Sequence, residues 1–87
     1  MNDLEQREDL THFLALVRYH LKLVDEDLEL AMDTDLDGMG LDSISALNLM
    51  LDLEEAFGIV FQNSMFTEEI FATPYALWKA LSTLRKR

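Results

Sequence analysis

The feature that most constrains this chain is a segment free of glycine and proline between Gly40 and Gly58. Asp42 or Ser43 can act as its N-cap, because a side-chain oxygen there can accept from the free N–H groups of a first helical turn. Gly58 stands where a helix commonly ends in a left-handed residue. The sequence therefore predicts a helix from about residue 43 to residue 57.

Two apolar stripes run along this predicted helix. The first is expected to face the core and comprises Ala46, Leu49, Met50, Leu53, Ala56 and Phe57. The second, which we call the serine-side face, comprises Ile44, Leu47 and Leu51 and is bordered by Asn48, Asp52, Glu54 and Glu55. A second apolar stripe rimmed by acids indicates a surface for a partner. The alternative, for Leu47 or Leu51 taken singly, is a place at the core boundary.

Two short motifs on this segment have the spacing of a known family. Residues 40–44 read GLDSI, and residues 53–59 read LEEAFGI. This pair resembles the acyl and peptidyl carrier protein family, in which a Gly-x-Asp-Ser-Leu/Ile turn opens a helix that ends in Leu-Glu-x-x-Phe-Gly. The resemblance covers nearly the whole chain, since the helices predicted before and after also fall in place. It implies a single carrier domain over residues 1–87.

The resemblance also implies a fold, a modification and a set of partners. The fold would be an all-α antiparallel four-helix bundle with three long helices, one short helix and a long first loop. Ser43 would be the attachment point of 4′-phosphopantetheine taken from coenzyme A. The partners would be a phosphopantetheinyl transferase, an acyl- or aminoacyl-loading enzyme, and downstream synthase or transferase enzymes. The expected partner-binding residues are Asp42, Ile44, Leu47, Leu51, Glu54 and Glu55.

The charge of the chain is strongly negative and unevenly distributed. The formal net charge is −10, and residues 23–78 contain thirteen Asp and Glu but no Lys or Arg. Such a field disfavours nucleic acid and anionic membranes as partners and favours basic protein surfaces. The absence of cysteine excludes disulfides and thiolate metal sites. Without a secretory signal or an apolar run near the ~20 residues of a membrane span, we expect a soluble, monomeric, cytoplasmic protein.

The rest of the chain predicts further helices. A first helix is expected from about Asp3 to Leu23, with an apolar stripe formed by Leu10, Phe13, Leu14, Val17, Leu21 and Val24. An acidic connection follows over residues 25–40, with a helical turn near 28–32. A short helix is expected within residues 65–71. Thr73 and Pro74 have the pattern of an N-cap and a first helical residue, which predicts a last helix to about residue 84.

Part of the acidic connection also resembles a calcium-binding loop. Asp33, Asp35, Asp37 and Gly38 match the first half of an EF-hand. The twelfth position, which should supply a bidentate glutamate, is Ile44, so two of the six to eight oxygens that calcium requires are missing. We therefore expect no specific metal site. An acidic calcium-binding module, or a helical adaptor without a covalent arm, is the alternative to a carrier.

Catalysis by this chain is not expected. A nucleophilic serine needs a base within hydrogen-bond reach and a third group that orients the base. His12 and His20 are the only histidines, both lie on the first predicted helix, and we interpret them as surface or boundary residues.

The cargo stays open among acyl, aminoacyl and polyketide intermediates. The acidic character resembles discrete acyl carriers, whereas residues 71–78 look more like carriers of nonribosomal peptide or mixed pathways. Asn48 departs from the acidic residue that many fatty-acid carriers place early in this helix, which weakens the carry-over of their partner set.

Overall fold

The computed structural model describes residues 3–21 and 30–85, in which the regular elements are three α-helices and one 3₁₀ turn. We number the helices α1 (Asp3–Tyr19), α2 (Ser43–Phe57) and α3 (Pro74–Arg85), and the 3₁₀ turn spans Asn63–Met65. These residues contain no β-strand. The predicted all-α class is therefore confirmed.

Helix α1 packs antiparallel to α3. Near the start of α1, Asp9 Oδ2 accepts a hydrogen bond of 2.8 Å from Nη1 of Arg85, the last residue of α3. Further along α1, the ring of Phe13 lies 5.0 Å from the ring of Trp78, closer to the start of α3. The two contacts run in opposite order along the two helices, which fixes their relative direction.

Helix α1 is also antiparallel to α2. The ring of His12 lies 5.5 Å from the ring of Phe57, the last residue of α2. Just beyond the end of α1, His20 Nε2 lies 2.6 Å from Oδ2 of Asp52, one and a half turns earlier in α2. Helix α1 thus contacts both other helices.

The core lies where the three helices meet. Side chains with no exposed surface come from every helix and from the connection before α2: Phe13, Val17, Leu49, Leu53, Leu77, Leu81 and Leu36. Burial of this apolar surface is the main favourable term in the folding of a domain this small.

Helix α2 has the predicted bounds and the predicted caps. The Asp42 carboxylate accepts a hydrogen bond of 2.8 Å from the Ser45 amide, and Gly58 adopts left-handed angles (φ 65°, ψ 39°). Only one member of its core stripe is misplaced, because Ala56 is exposed. It lies at the edge of that stripe, while His12 and Arg85 cover the neighbouring Phe57.

The predicted short helix within residues 65–71 is wrong. After the 3₁₀ turn, the chain makes one hydrogen-bonded turn, in which the amide of Phe71 donates to the carbonyl of Thr67 over 3.3 Å. The Thr67 hydroxyl accepts a hydrogen bond from the Ile70 amide, as an N-cap does, but Pro74 disfavours helical angles at Thr73 and so limits the length of the turn. One turn therefore forms where a helix was expected, and the described residues contain three helices of the predicted four-helix bundle.

Helix α3 has the predicted bounds, whereas α1 ends earlier than predicted. Thr73 Oγ1 accepts a hydrogen bond of 3.2 Å from the Ala76 amide, so Thr73 caps α3 as expected, and α3 extends to Arg85. Helix α1 ends at Tyr19 with two tighter i→i−3 hydrogen bonds. The expected continuation to Leu23, the helical turn proposed at 28–32 and Val24 fall wholly or partly outside the described residues.

Glu54 organises the chain after α2. Its carbonyl accepts hydrogen bonds from the amides of Gly58 and Ile59. Its carboxylate accepts a hydrogen bond of 2.8 Å from the Phe61 amide. Ile59 and Phe61 are buried, with Val60 exposed between them.

Leu53→Ala is expected to cost about 2–5 kcal/mol of unfolding free energy, because it leaves a cavity in a fully buried position. Leu51→Ala is the matched control, since Leu51 is half-exposed. Chemical denaturation measures both. Equal costs for the two variants would contradict the assignment of Leu53 to the core and Leu51 to the surface.

Glu54→Ala is expected to destabilise the fold by about 1–3 kcal/mol, because it leaves the partly buried Phe61 amide without its charged acceptor. The same change at the exposed neighbour, Glu55→Ala, should stay within about 0.5 kcal/mol. Denaturant titration of the two variants compares them directly. A Glu54→Ala variant as stable as Glu55→Ala would show that the carboxylate does not hold the segment after α2.

Candidate functional site

Ser43 is the first residue of α2, and its side chain is exposed. The residue before it caps the helix twice, since Asp42 Oδ1 accepts from the Ser45 amide and the Asp42 carbonyl accepts from the Ala46 amide, each over 2.8 Å. The exposed hydroxyl of Ser43 is therefore held at the N-terminal end of a rigid helix.

The turn before Ser43 is anchored by two buried leucines. The Leu41 amide donates to the Leu36 carbonyl over 3.1 Å, and both side chains are buried. Gly40, between them, has φ 91°, a conformation that L side chains rarely adopt. The Leu36 amide donates to the Ala72 carbonyl over 3.0 Å, which ties this turn to the segment before α3. The position of Ser43 is thus fixed from both sides.

The start of α2 favours an anion for one reason and disfavours it for another. The first N–H groups of a helix have no partner within the helix, and its dipole places partial positive charge there. Both features favour a phosphate group near Ser43. The exposed Asp42 carboxylate opposes a second negative charge beside it. The exposed hydroxyl nevertheless fits a phosphate ester on Ser43, together with the first-turn amides of Ser43 and Ile44, since Asp42 accepts from those of Ser45 and Ala46.

An open cleft of about 600 Å³ lies beside Ser43. Its lining comes from two segments of the chain, residues 35–46 and residues 66–72. Its floor is apolar, with Leu41, Ala46 and Phe71 buried. The cleft is large enough to hold part of an arm attached to Ser43, because small-molecule sites occupy about 300–1,000 Å³.

The serine-side face is exposed. Ile44, Leu47 and Leu51 expose 74%, 43% and 51% of their surfaces, although all three are large apolar residues. None of them belongs to the buried core, so the alternative of a core-boundary role is disfavoured. Their role in partner binding stays a prediction.

The acids predicted to bind partners differ in their surroundings. Asp42 and Glu55 are exposed on α2. Glu54 is partly buried, and its carboxylate accepts a hydrogen bond from the Phe61 amide. Its position in the sequence did not indicate this structural role. Partner binding by all three acids stays a prediction.

The two histidines lie far from Ser43. His20 contacts Asp52, which is nine residues or about 13 Å along α2 from Ser43, and His12 contacts Phe57 at the far end of the helix. Neither imidazole is within hydrogen-bond reach of the Ser43 hydroxyl. The partnership of His20 with a carboxylate was missed, because the two residues are 32 positions apart and only the packing of α1 on α2 joins them.

The EF-hand-like aspartates do not converge. Among the described residues, which include Asp33, Asp35 and Asp37, no group of three or more His, Cys, Asp or Glu side chains could hold a metal ion. Asp35 and Asp37 instead line the cleft beside Ser43.

Three further cleft residues were not predicted from the sequence. Phe66, Thr67 and Glu68 line the cleft together with Ser43. Their segment was expected to be a short helix, and 39% of the Phe66 surface is exposed. The sequence signal for this exposure is that Phe66 is an apolar residue in a segment rich in residues that favour turns.

Comparison with known proteins agrees with this geometry. The pattern of the family described as "Phosphopantetheine attachment site" matches residues 13–81, which include all of α2, the cleft and most of α3. No curated protein matches the chain significantly. No helix within residues 3–21 and 30–85 has the length and apolarity needed to cross a bilayer. Proteins of this family are carriers of 4′-phosphopantetheine rather than catalysts, and because the match covers well over half of its length, the chain belongs to the phosphopantetheine attachment site family.

Proposed function

We propose that this protein carries biosynthetic intermediates on a 4′-phosphopantetheine arm attached to Ser43. The observation that supports this most strongly is the exposed Ser43 hydroxyl at the start of α2, inside the matched region and beside an open cleft. When bound, the arm supplies a thiol that holds acyl, aminoacyl or polyketide cargo as a thioester. The protein supplies the address and the surface that enzymes recognise.

Attachment requires an accessible hydroxyl at a defined position. Ser43 loses its proton, its oxygen bonds to the phosphorus that bears the pantetheine, and adenosine 3′,5′-bisphosphate leaves coenzyme A. The helix dipole and the first-turn amides of α2 then stabilise the phosphate charge. The fixed turn that contains Gly40 and Leu41 lowers the entropy cost of presenting Ser43 to a transferase.

The serine-side face is the surface that we assign to partners. Its three exposed apolar residues adjoin Ser43 along α2, and acids such as Asp42 and Glu55 flank it. An apolar centre with a charged rim is the arrangement of specific interfaces. The excess of acids favours basic partners, for which charge complementarity raises the association rate. The partners are a phosphopantetheinyl transferase, a loading enzyme and downstream synthase or transferase enzymes.

Incubation with coenzyme A, magnesium and a promiscuous phosphopantetheinyl transferase is expected to add one arm to the native chain, as measured by intact mass. Ser43→Ala should stay unmodified. Ser45→Ala, a matched control in the same helical turn, should be modified like the native chain. No mass increase with two unrelated transferases, or a modified Ser43→Ala variant, would overturn the proposed attachment site.

Leu51→Glu is expected to lower the rate of Ser43 modification about tenfold or more, because it places a charge in the apolar centre of the contact. Its unfolding free energy should change by only roughly 0.5 kcal/mol, as for other surface substitutions. Ala56→Glu adds the same charge at an exposed position of α2 outside the serine-side face and should leave the rate nearly unchanged. Equal rates for the two variants would remove Leu51 from the interface.

A further inference from the structure

Glu54 fixes the chain immediately after α2 through three hydrogen bonds. Its carbonyl accepts from the amides of Gly58 and Ile59, the latter over 3.2 Å. Its carboxylate accepts from the Phe61 amide over 2.8 Å, and this hydrogen bond is partly buried. Val60 lies between Ile59 and Phe61, whose amides both donate to Glu54. One glutamate therefore sets the position of Val60.

The side chain of Val60 points to solvent. Its neighbours Ile59 and Phe61 are buried, whereas Val60 exposes 76% of its surface. A single exposed valine on a protein surface needs no explanation. Here, however, the next residue donates to a carboxylate, and such charge-assisted hydrogen bonds are stronger than neutral ones. The exposed valine is thus presented at a defined position.

Glu54 holds Val60 beside the serine-side face. On α2, Glu54 comes three residues after Leu51 and seven after Leu47, so the three side chains follow one another along the same edge of the helix. The Glu54 carboxylate meets the Phe61 amide at this edge. The exposed apolar surface of α2 therefore continues across Glu54 to Val60.

An enzyme that modifies Ser43 covers more than the serine-side face. A specific interface commonly covers about 800 Å² of each partner, and a round patch of that area reaches about 16 Å from its centre. Centred on Leu47, such a patch includes Ser43, about 6 Å away along α2, and Glu54, about 10 Å away in the other direction. The segment that Glu54 holds falls inside this area.

The charges around this surface specify the kind of partner. Asp42 and Glu55 are exposed on α2, and residues 23–78 contain no Lys or Arg. A partner that covers this area needs an apolar centre with a basic rim, and such charge complementarity raises the association rate. In the proposed function, the transferase that modifies Ser43 has to bind here.

We propose that Val60 contacts the phosphopantetheinyl transferase and that Glu54 is a positioning residue for this contact. Glu54 acts through its hydrogen bond to the Phe61 amide rather than through its own charge, and the exposed acids of α2 attract the basic rim of the enzyme. The inference rests on the proposed modification of Ser43.

Steady-state modification of the full chain by a promiscuous transferase, with coenzyme A and magnesium, tests the contact. Val60→Asn is expected to lower kcat/KM about three- to tenfold, mainly through a higher KM, because it removes an apolar contact of the complex. Val60→Ile keeps the apolar contact and is the matched control, with kcat/KM near the native value. Because Val60 is exposed, the denaturation midpoints of both variants should stay close to that of the native chain.

Two substitutions of Glu54 separate positioning from a charge contact. The side-chain oxygen of glutamine can still accept from the Phe61 amide, whereas alanine has no acceptor. Glu54→Ala is expected to lower kcat/KM about as much as Val60→Asn and to add little in the double variant, since both changes remove the same contact. Glu54→Gln should restore most of the loss. The decrease of kcat/KM with added salt should keep its native slope in Glu54→Gln and become shallower in Glu55→Gln, which removes an exposed charge.

The outcomes separate the inference from the proposed function. Equal kcat/KM values for Val60→Asn and the native chain would overturn the contact while leaving the modification of Ser43 intact. A Glu54→Gln variant that is as slow as Glu54→Ala, or that has the shallower salt slope, would assign a charge contact to Glu54 and overturn its positioning role. No modification of the native chain by two unrelated transferases would overturn the proposed function, and the inference with it.

Discussion

The position of the functional site depends on the burial of Leu36. This residue belongs to no helix, yet its side chain is fully buried among the helices. Its amide donates to the carbonyl of Ala72, and its carbonyl accepts from the amides of Met39 and Leu41. A second bond, from the Tyr75 amide to the Met32 carbonyl, ties the same connection to the start of α3. Side-chain burial and backbone hydrogen bonds thus fix residues 30–42, which contain turns but no helix or strand.

The anchored connection places unlike surfaces on either side of Ser43. On one side, the serine-side face is apolar and exposed, which suits contact with other proteins. On the other side lies the open cleft, which Asp35, Asp37 and Glu68 help to line. In the function that we propose, partners contact the serine-side face, and Ser43 lies between that face and the cleft. The N-terminal end of α2 supports both, because the helix holds Ser43 at a constant position between them.

The sequence by itself determined the local structure around the site. The Asp42 cap, the left-handed Gly58 and the cap at Thr73 follow from hydrogen bonds and steric limits within a few residues of the chain. The period of the apolar residues likewise identified most of the core face of α2 and its exposed second stripe. The spacing of the two motifs indicated the family, which the match to residues 13–81 confirms.

Only the tertiary structure decided which residues meet across the chain. In the folded protein, Ala56 is exposed, the Glu54 carboxylate accepts a hydrogen bond from the Phe61 amide, and the His20 imidazole contacts the Asp52 carboxylate. The tertiary structure also replaced an expected helix by a single turn at Thr67 and formed the cleft beside Ser43. These features depend on what lies opposite a residue rather than on its neighbours in sequence. Helical periodicity gives the direction of a side chain, whereas its partner is set by the packing of elements that are distant along the chain.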